Sequence, residues 1–93
     1  MQDYSTSINM FNCPVPVSIS VAENYSLIVS FNNGITKKFN FAPYFKYKVF
    51  EPLKDIKLFK KAYVIPSAIV WNEDLDIAIE EVYEKGVTIA NNT

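Results

Sequence analysis

Three carboxylates, Glu73, Asp74 and Asp76, stand close together just after Trp71 and Asn72. On an extended segment Asp74 and Asp76 would point to the same side, and hard oxygen ligands suit Mg²⁺ or Ca²⁺. Such a site could support metal-assisted hydrolysis. The competing structural reading makes Asp76 the N-cap of the last helix and leaves Glu73 and Asp74 as solvated loop charges. A second cluster is basic. Lys46, Lys48, Lys54, Lys57, Lys60 and Lys61 follow or interleave with Tyr44, Phe45 and Tyr47, a mixture that can hold phosphates and stack bases. Its structural alternative is aromatic core residues beside solvated lysines. Trp71 reads as a core or interface anchor.

The missing residue types narrow the chemistry. Histidine is absent, and all nine basic residues are lysine. Ser/His/Asp catalysis is therefore excluded, and a hydrolase would lack the usual partners for sharing proton and charge work. Without arginine, bidentate readout of bases is also lost. Cys13 is the single cysteine, so it forms no internal disulfide, and no neighbouring histidine or basic residue activates its thiol. Gly34 and Gly86 are the only glycines, too few for a phosphate-cradling loop. No cofactor is expected.

The net charge of −1 gives no overall footprint for nucleic acid. Its distribution is uneven: residues 37–61 hold eight lysines against Glu51 and Asp55, and residues 62–93 hold six carboxylates against Lys85. These segments could face each other in the fold or across a dimer, or both could be solvated faces. With 93 residues and 49% apolar content, the chain can build one small core. No signal peptide or membrane-length apolar run is visible, so a cytoplasmic location is the expectation. Lysine in place of arginine, with many asparagines, fits an AT-rich prokaryotic genome.

These residues must be positioned by short elements. Residues 1–14 look like a loose N-terminal arm. Val15, Val17, Ile19 and Val21 alternate with smaller or polar residues, and Tyr25, Leu27, Val29 and Phe31 do the same, so each run reads as a half-buried strand. Asn33-Gly34 reads as a hairpin turn with positive φ at both positions. Ile35, Lys37, Phe39 and Phe41 then share one face of a third strand. Pro43 opens a turn or helical piece. Asp55 predicts an N-cap for a helix of roughly 6–8 residues carrying Ile56 and Phe59 on one face. Residues 62–71 read as a second hairpin around Pro66-Ser67. Ile79, Val82, Tyr83 and Gly86 lie at helical spacing, with Glu81 and Lys85 as an i, i+4 pair and Gly86 as the C-cap glycine. Residues 87–93 are expected to fray as a C-terminal tail. The fold class is α+β: one domain over 15–86, with an antiparallel sheet of about five strands (a three-stranded meander plus a hairpin) and two short helices. Ile56, Phe59, Ile79, Val82 and Tyr83 are expected to pack one sheet face.

The order of these pieces resembles a prokaryotic family, domain of unknown function 2442. The resemblance rests on Tyr25-Ser26-Leu27-Ile28-Val29-Ser30-Phe31, on Asn33-Gly34, and on Phe50-Glu51-Pro52-Leu53-Lys54-Asp55. It continues through Trp71-Asn72-Glu73-Asp74-Leu75-Asp76-Ile77 and Val82-Tyr83. Many relatives have Trp-Pro-Asn-Gly where this chain has Trp71-Asn72-Glu73-Asp74, and Val82 stands where leucine is usual. The family brings no established activity. Its members are often encoded beside a second small protein, and some are fused to a helix-turn-helix domain. The resemblance therefore implies one half of a two-protein, toxin–antitoxin-like system. The expected function is a non-enzymatic protein-interaction module whose partner is another protein, either a second copy of itself or a genomic neighbour. No membrane partner is expected, nor a nucleic acid without such a partner. Trp71, Asn72, Tyr44, Tyr47, Lys54, Lys57 and Lys61 are the candidate contact residues. The alternatives are a small metal-dependent hydrolase or nuclease using Glu73, Asp74 and Asp76, and a direct nucleic-acid binder.

Overall fold

The computed structural model describes residues 14–91. Cys13 and nearly all of the expected N-terminal arm lie outside the described residues. The first hairpin joins β1 (Pro16–Ala22) to β2 (Ser26–Phe31), and β3 (Ile35–Asn40) completes an antiparallel meander. Leu27, Val29 and Phe31 are buried together, as their alternation requires. The first strand departs from its pattern. A bulge between Pro16 and Ser18 breaks the register, so Val17 is left 60% exposed while Pro16 is buried. The bulge is pinned by Asn32, whose amide donates to the Val15 carbonyl and whose side-chain oxygen accepts from the Val15 amide.

Both turns also refine the sequence reading. In the Asn32-Asn33-Gly34 connection only Gly34 has positive φ, at 87°, and Asn33 Oδ1 accepts from the Ile35 amide. The pair of left-handed residues sits instead in the first hairpin, at Asn24 (φ 62°) and Tyr25 (φ 58°). A bulky residue there costs on the order of 1–2 kcal/mol. Tyr25 is held by edge contacts with Phe45 and Phe59 and by donating its hydroxyl to the Lys54 carbonyl. It closes the turn rather than opening the second strand.

Two 3₁₀ helices follow, Ala42–Lys46 and Lys48–Lys54. Asp55 caps α1 (Ile56–Phe59) by accepting from the Lys57 amide at 3.0 Å, a cap that contributes about 1 kcal/mol. The helix is a single turn, shorter than expected, and one turn has no apolar stripe: Phe59 is fully buried while Ile56 is 40% exposed. Ile56 is therefore not part of the core.

A second antiparallel sheet comprises β4 (Tyr63–Ile65), β5 (Ala68–Asn72) and β6 (Leu75–Ala78). Asp76 lies within β6 and caps nothing. The last helix, α2 (Ile79–Lys85), begins after Ala78 without a side-chain cap, and the Ile79 amide donates to the Ser67 carbonyl. Its stripe behaves as its spacing requires, with Ile79 and Val82 buried and Tyr83 half-buried. Residues 87–91 do not fray. They form β7 (Val87–Asn91), which pairs antiparallel with β3 and makes the first sheet four-stranded, in the order β1-β2-β3-β7. The fold is α+β, with seven strands in two sheets rather than about five in one. A single core, including Leu27, Phe41, Phe59, Trp71 and Ile79, joins both sheets and the helices. β1 runs beside β4 where the sheets meet, which leaves β7 as the outer edge of the larger sheet.

Candidate functional site

The segment after β3 carries aromatic rings at a spacing of three: Phe41, Tyr44, Tyr47 and Phe50. Three residues per turn is the 3₁₀ period, at which side chains i and i+3 eclipse. The backbone follows it, with the amides of Tyr44, Tyr47 and Phe50 each donating to the carbonyl three residues back. The rings consequently meet in order along a ladder, the first pair stacked, the second tilted and the third edge-on. Phe41 and Tyr44 lie 5.3 Å apart and nearly parallel, Tyr44 and Tyr47 6.2 Å apart, and Tyr47 and Phe50 6.5 Å apart. The ladder starts in the core at Phe41 and reaches the surface at Tyr47, which is 49% exposed.

Tyr44 is the rung between core and solvent. Its hydroxyl donates to Glu81 Oε2 on α2, tying the 3₁₀ segment to the last helix. Burial pushes the phenol pKa up to about 12, and the hydrogen bond to Glu81 and that carboxylate's negative charge push the same way. The folded-state value thus lies above the ordinary value of about 10. The stability it contributes is complete below pH 10 and is lost as pH rises through 12. Tyr44→Phe should therefore lose less stability than the native chain across that window and should lack the latest step of tyrosinate absorbance. A native titration with no step later than those that survive in Tyr44→Phe would show that Tyr44 is not held in this way.

Two clefts open on either side of Tyr44. One, of about 510 Å³, runs to β7 and is walled by Phe39, Pro43, Tyr44, Val87 and Ile89, with Lys38 and Lys85 beside them. The other, of about 460 Å³, is lined by Tyr47, Val49 and Phe50 against Asp76, Ile77 and Ala78. Val49, Val87 and Ile89 are each at least half exposed. Together they make two apolar patches that share Tyr44, an apolar band interrupted by a smaller cleft that Lys46, Glu81 and Lys85 line.

The residues singled out by sequence fall into three groups. Tyr44 and Tyr47 come together in this band. Trp71 is buried instead, its indole N–H donating to the Phe59 carbonyl at 3.0 Å and its ring stacked on Phe59, so it is a core residue. Asn72 sits at the exposed end of β5 and accepts from the Asp74 amide. Lys54 ends the second 3₁₀ helix, Lys57 lies in α1 and Lys61 just after it; all three are exposed and line neither cleft. Glu73 and Asp74 occupy the turn before β6, so Asp74 and Asp76 share no strand face. Among the described residues, no three carboxylate or thiol groups are gathered as a metal would need. The basic and acidic segments do not neutralise each other either. Among the described residues the ion pair is Lys85 Nζ to Glu81 Oε2 at 3.9 Å, inside the acidic segment itself.

Sequence reasoning missed Val49, Val87, Ile89 and the bridging role of Glu81. The β-branched run Val87-Thr88-Ile89 and the three-residue aromatic period were the available signals.

A family model described as "Protein of unknown function (DUF2442)" matches residues 16–88. The chain belongs to this family. The match spans both sheets, the aromatic ladder and α2, and reaches the first residues of β7. No curated protein and no solved structure matches the chain. Among the described residues, no helix is long and apolar enough to cross a membrane.

Proposed function

We propose that this DUF2442 chain is a non-enzymatic protein-interaction module, one member of a two-protein pair. The apolar band centred on Tyr44 carries the reading. Exposed apolar surface of this kind marks an interaction site, and aromatic residues with few charges are what the centre of an interface is made of. A chain without histidine or arginine is also poorly equipped for the hydrolytic alternative.

Affinity capture from cells of the source organism, followed by reconstitution from purified components, tests the proposal. The native chain should form a defined complex, measured by size-exclusion mass. The double variant Tyr47→Ser, Val49→Ser should lose it while staying folded with only a small drop in thermal midpoint, because both side chains are about half exposed. A complex indifferent to that substitution would remove the band from consideration. A strict monomer that captures no protein but cleaves a phosphoester with Mg²⁺ would promote the hydrolase. One that shifts DNA with a steep salt dependence would promote nucleic-acid binding.

A further inference from the structure

The outer edge of the larger sheet is unusually inviting. β7 contains no charged residue and no proline, and Val87 and Ile89 on it are 66% and 50% exposed. Natural edge strands normally carry such blocking features. Here the one device is a bulge at Ile89, where the register with β3 shifts, and nothing among the described residues pairs with the far side of Val87–Ala90. The cleft beside this edge is walled by rings and aliphatic side chains, yet every charged residue lining it is a lysine, Lys38 or Lys85. Lys46 lines the smaller cleft, of about 210 Å³, beside Tyr44 and Tyr47. The nearby carboxylate, Glu81, is already engaged by Tyr44 and Lys85.

We infer that β7 and its cleft take an extended segment of a different protein, one that carries acidic and aliphatic side chains together on the face turned to the cleft and adds to the sheet as a fifth strand. Main-chain pairing along β7 would supply affinity, and alternate side chains would supply specificity. Aliphatic groups enter the cleft between Tyr44 and Ile89, and acidic groups meet Lys38 and, in competition with Glu81, Lys85. A second copy of this chain is a poor occupant. Its own free edge, β7, carries no acidic side chain to meet the lysines, and its acid-bearing strand, β6, has Leu75 and Ile77 buried in the core. The inference rests on the interaction-module reading and names the chemistry of the partner.

The probe is a short, end-blocked, labelled peptide in which glutamate and valine take turns at every second position, with threonine between them, followed by fluorescence anisotropy. Its controls are the same peptide with lysine in place of glutamate and the same peptide N-methylated on alternate amides. The acidic peptide should bind saturably. Lys38→Glu should weaken it roughly tenfold, and Ile89→Asp and N-methylation should each weaken it at least as much. Equal binding of the lysine peptide, no saturable binding of the acidic one, or indifference to Lys38→Glu and Ile89→Asp would overturn the inference. Circular dichroism of both variants guards against unfolding, which is not expected because Lys38 and Ile89 are exposed. If a cellular partner is captured equally well by Ile89→Asp and the native chain, the module stands and the β7 site falls. If neither partner nor peptide binds, both fall.

Discussion

Phe41→Ala should lower the thermal midpoint by roughly 15–30 °C, taking about 3–5 kcal/mol from a domain that holds about 5–15 in total. Phe41 is fully buried, and its ring centroid lies within 5.7 Å of those of Tyr44, Phe45, Phe50, Phe59 and Trp71. Those rings come from the 3₁₀ segments, α1 and β5, so removing Phe41 leaves a cavity where these elements meet. The cavity cannot close readily, because the flanking rings are fixed at the 3₁₀ spacing and Trp71 is tethered to the Phe59 carbonyl. Ile56→Ala is the informative comparison. Helical spacing alone would give Ile56 a core role, but at 40% exposure its truncation should cost only about 0.5 kcal/mol or less. Thermal unfolding followed by circular dichroism separates the two. Similar losses in both variants would mean that the aromatic cluster does not organise the core.

Gly86→Ala should cost about 1–3 kcal/mol, or roughly 5–20 °C in midpoint, and should loosen β7 more than the rest of the fold. An added Cβ would stand 2.6 Å from the Val82 carbonyl oxygen and 3.2 Å from Lys37 Cβ. The first is backbone in the last turn of α2 and the second belongs to β3, so relief means moving the chain outward just before it pairs with β3. Gly86 has φ −71°, an ordinary value for any residue, so its role is space and not backbone freedom. Asparagine distinguishes these roles. It substitutes well for a left-handed capping glycine, but here Gly86→Asn should be no better tolerated than Gly86→Ala. Hydrogen exchange at Val87–Ala90 provides the local readout, with faster exchange expected in both variants. Full rescue by asparagine would restore the capping interpretation.

What the amino-acid sequence determined by itself was local. The alternation of Leu27, Val29 and Phe31 established a half-buried strand, because side chains on a strand repeat every two residues. Gly34 marked a turn, Asp55 a helix start, and Ile79 with Val82 a buried helical face, each through preferences acting over a few residues. These sufficed for the α+β class and for Tyr44 and Tyr47 as candidate contacts. The tertiary structure decided everything that depends on a distant partner. Val17 is turned outward by a bulge that exists only because β1 must match β2. Asp76 is a strand residue because β5 offers β6 a ladder, and that pairing outweighs the weak pull of an N-cap. Val87 and Ile89 become an edge because β3 is there to receive them once Gly86 lets the chain pass. Tyr44 meets Glu81 across 37 residues of sequence. Contacts of that separation form only when the whole chain has closed, so their energy is written in the joint packing of many side chains and not in the periodicity of any one segment.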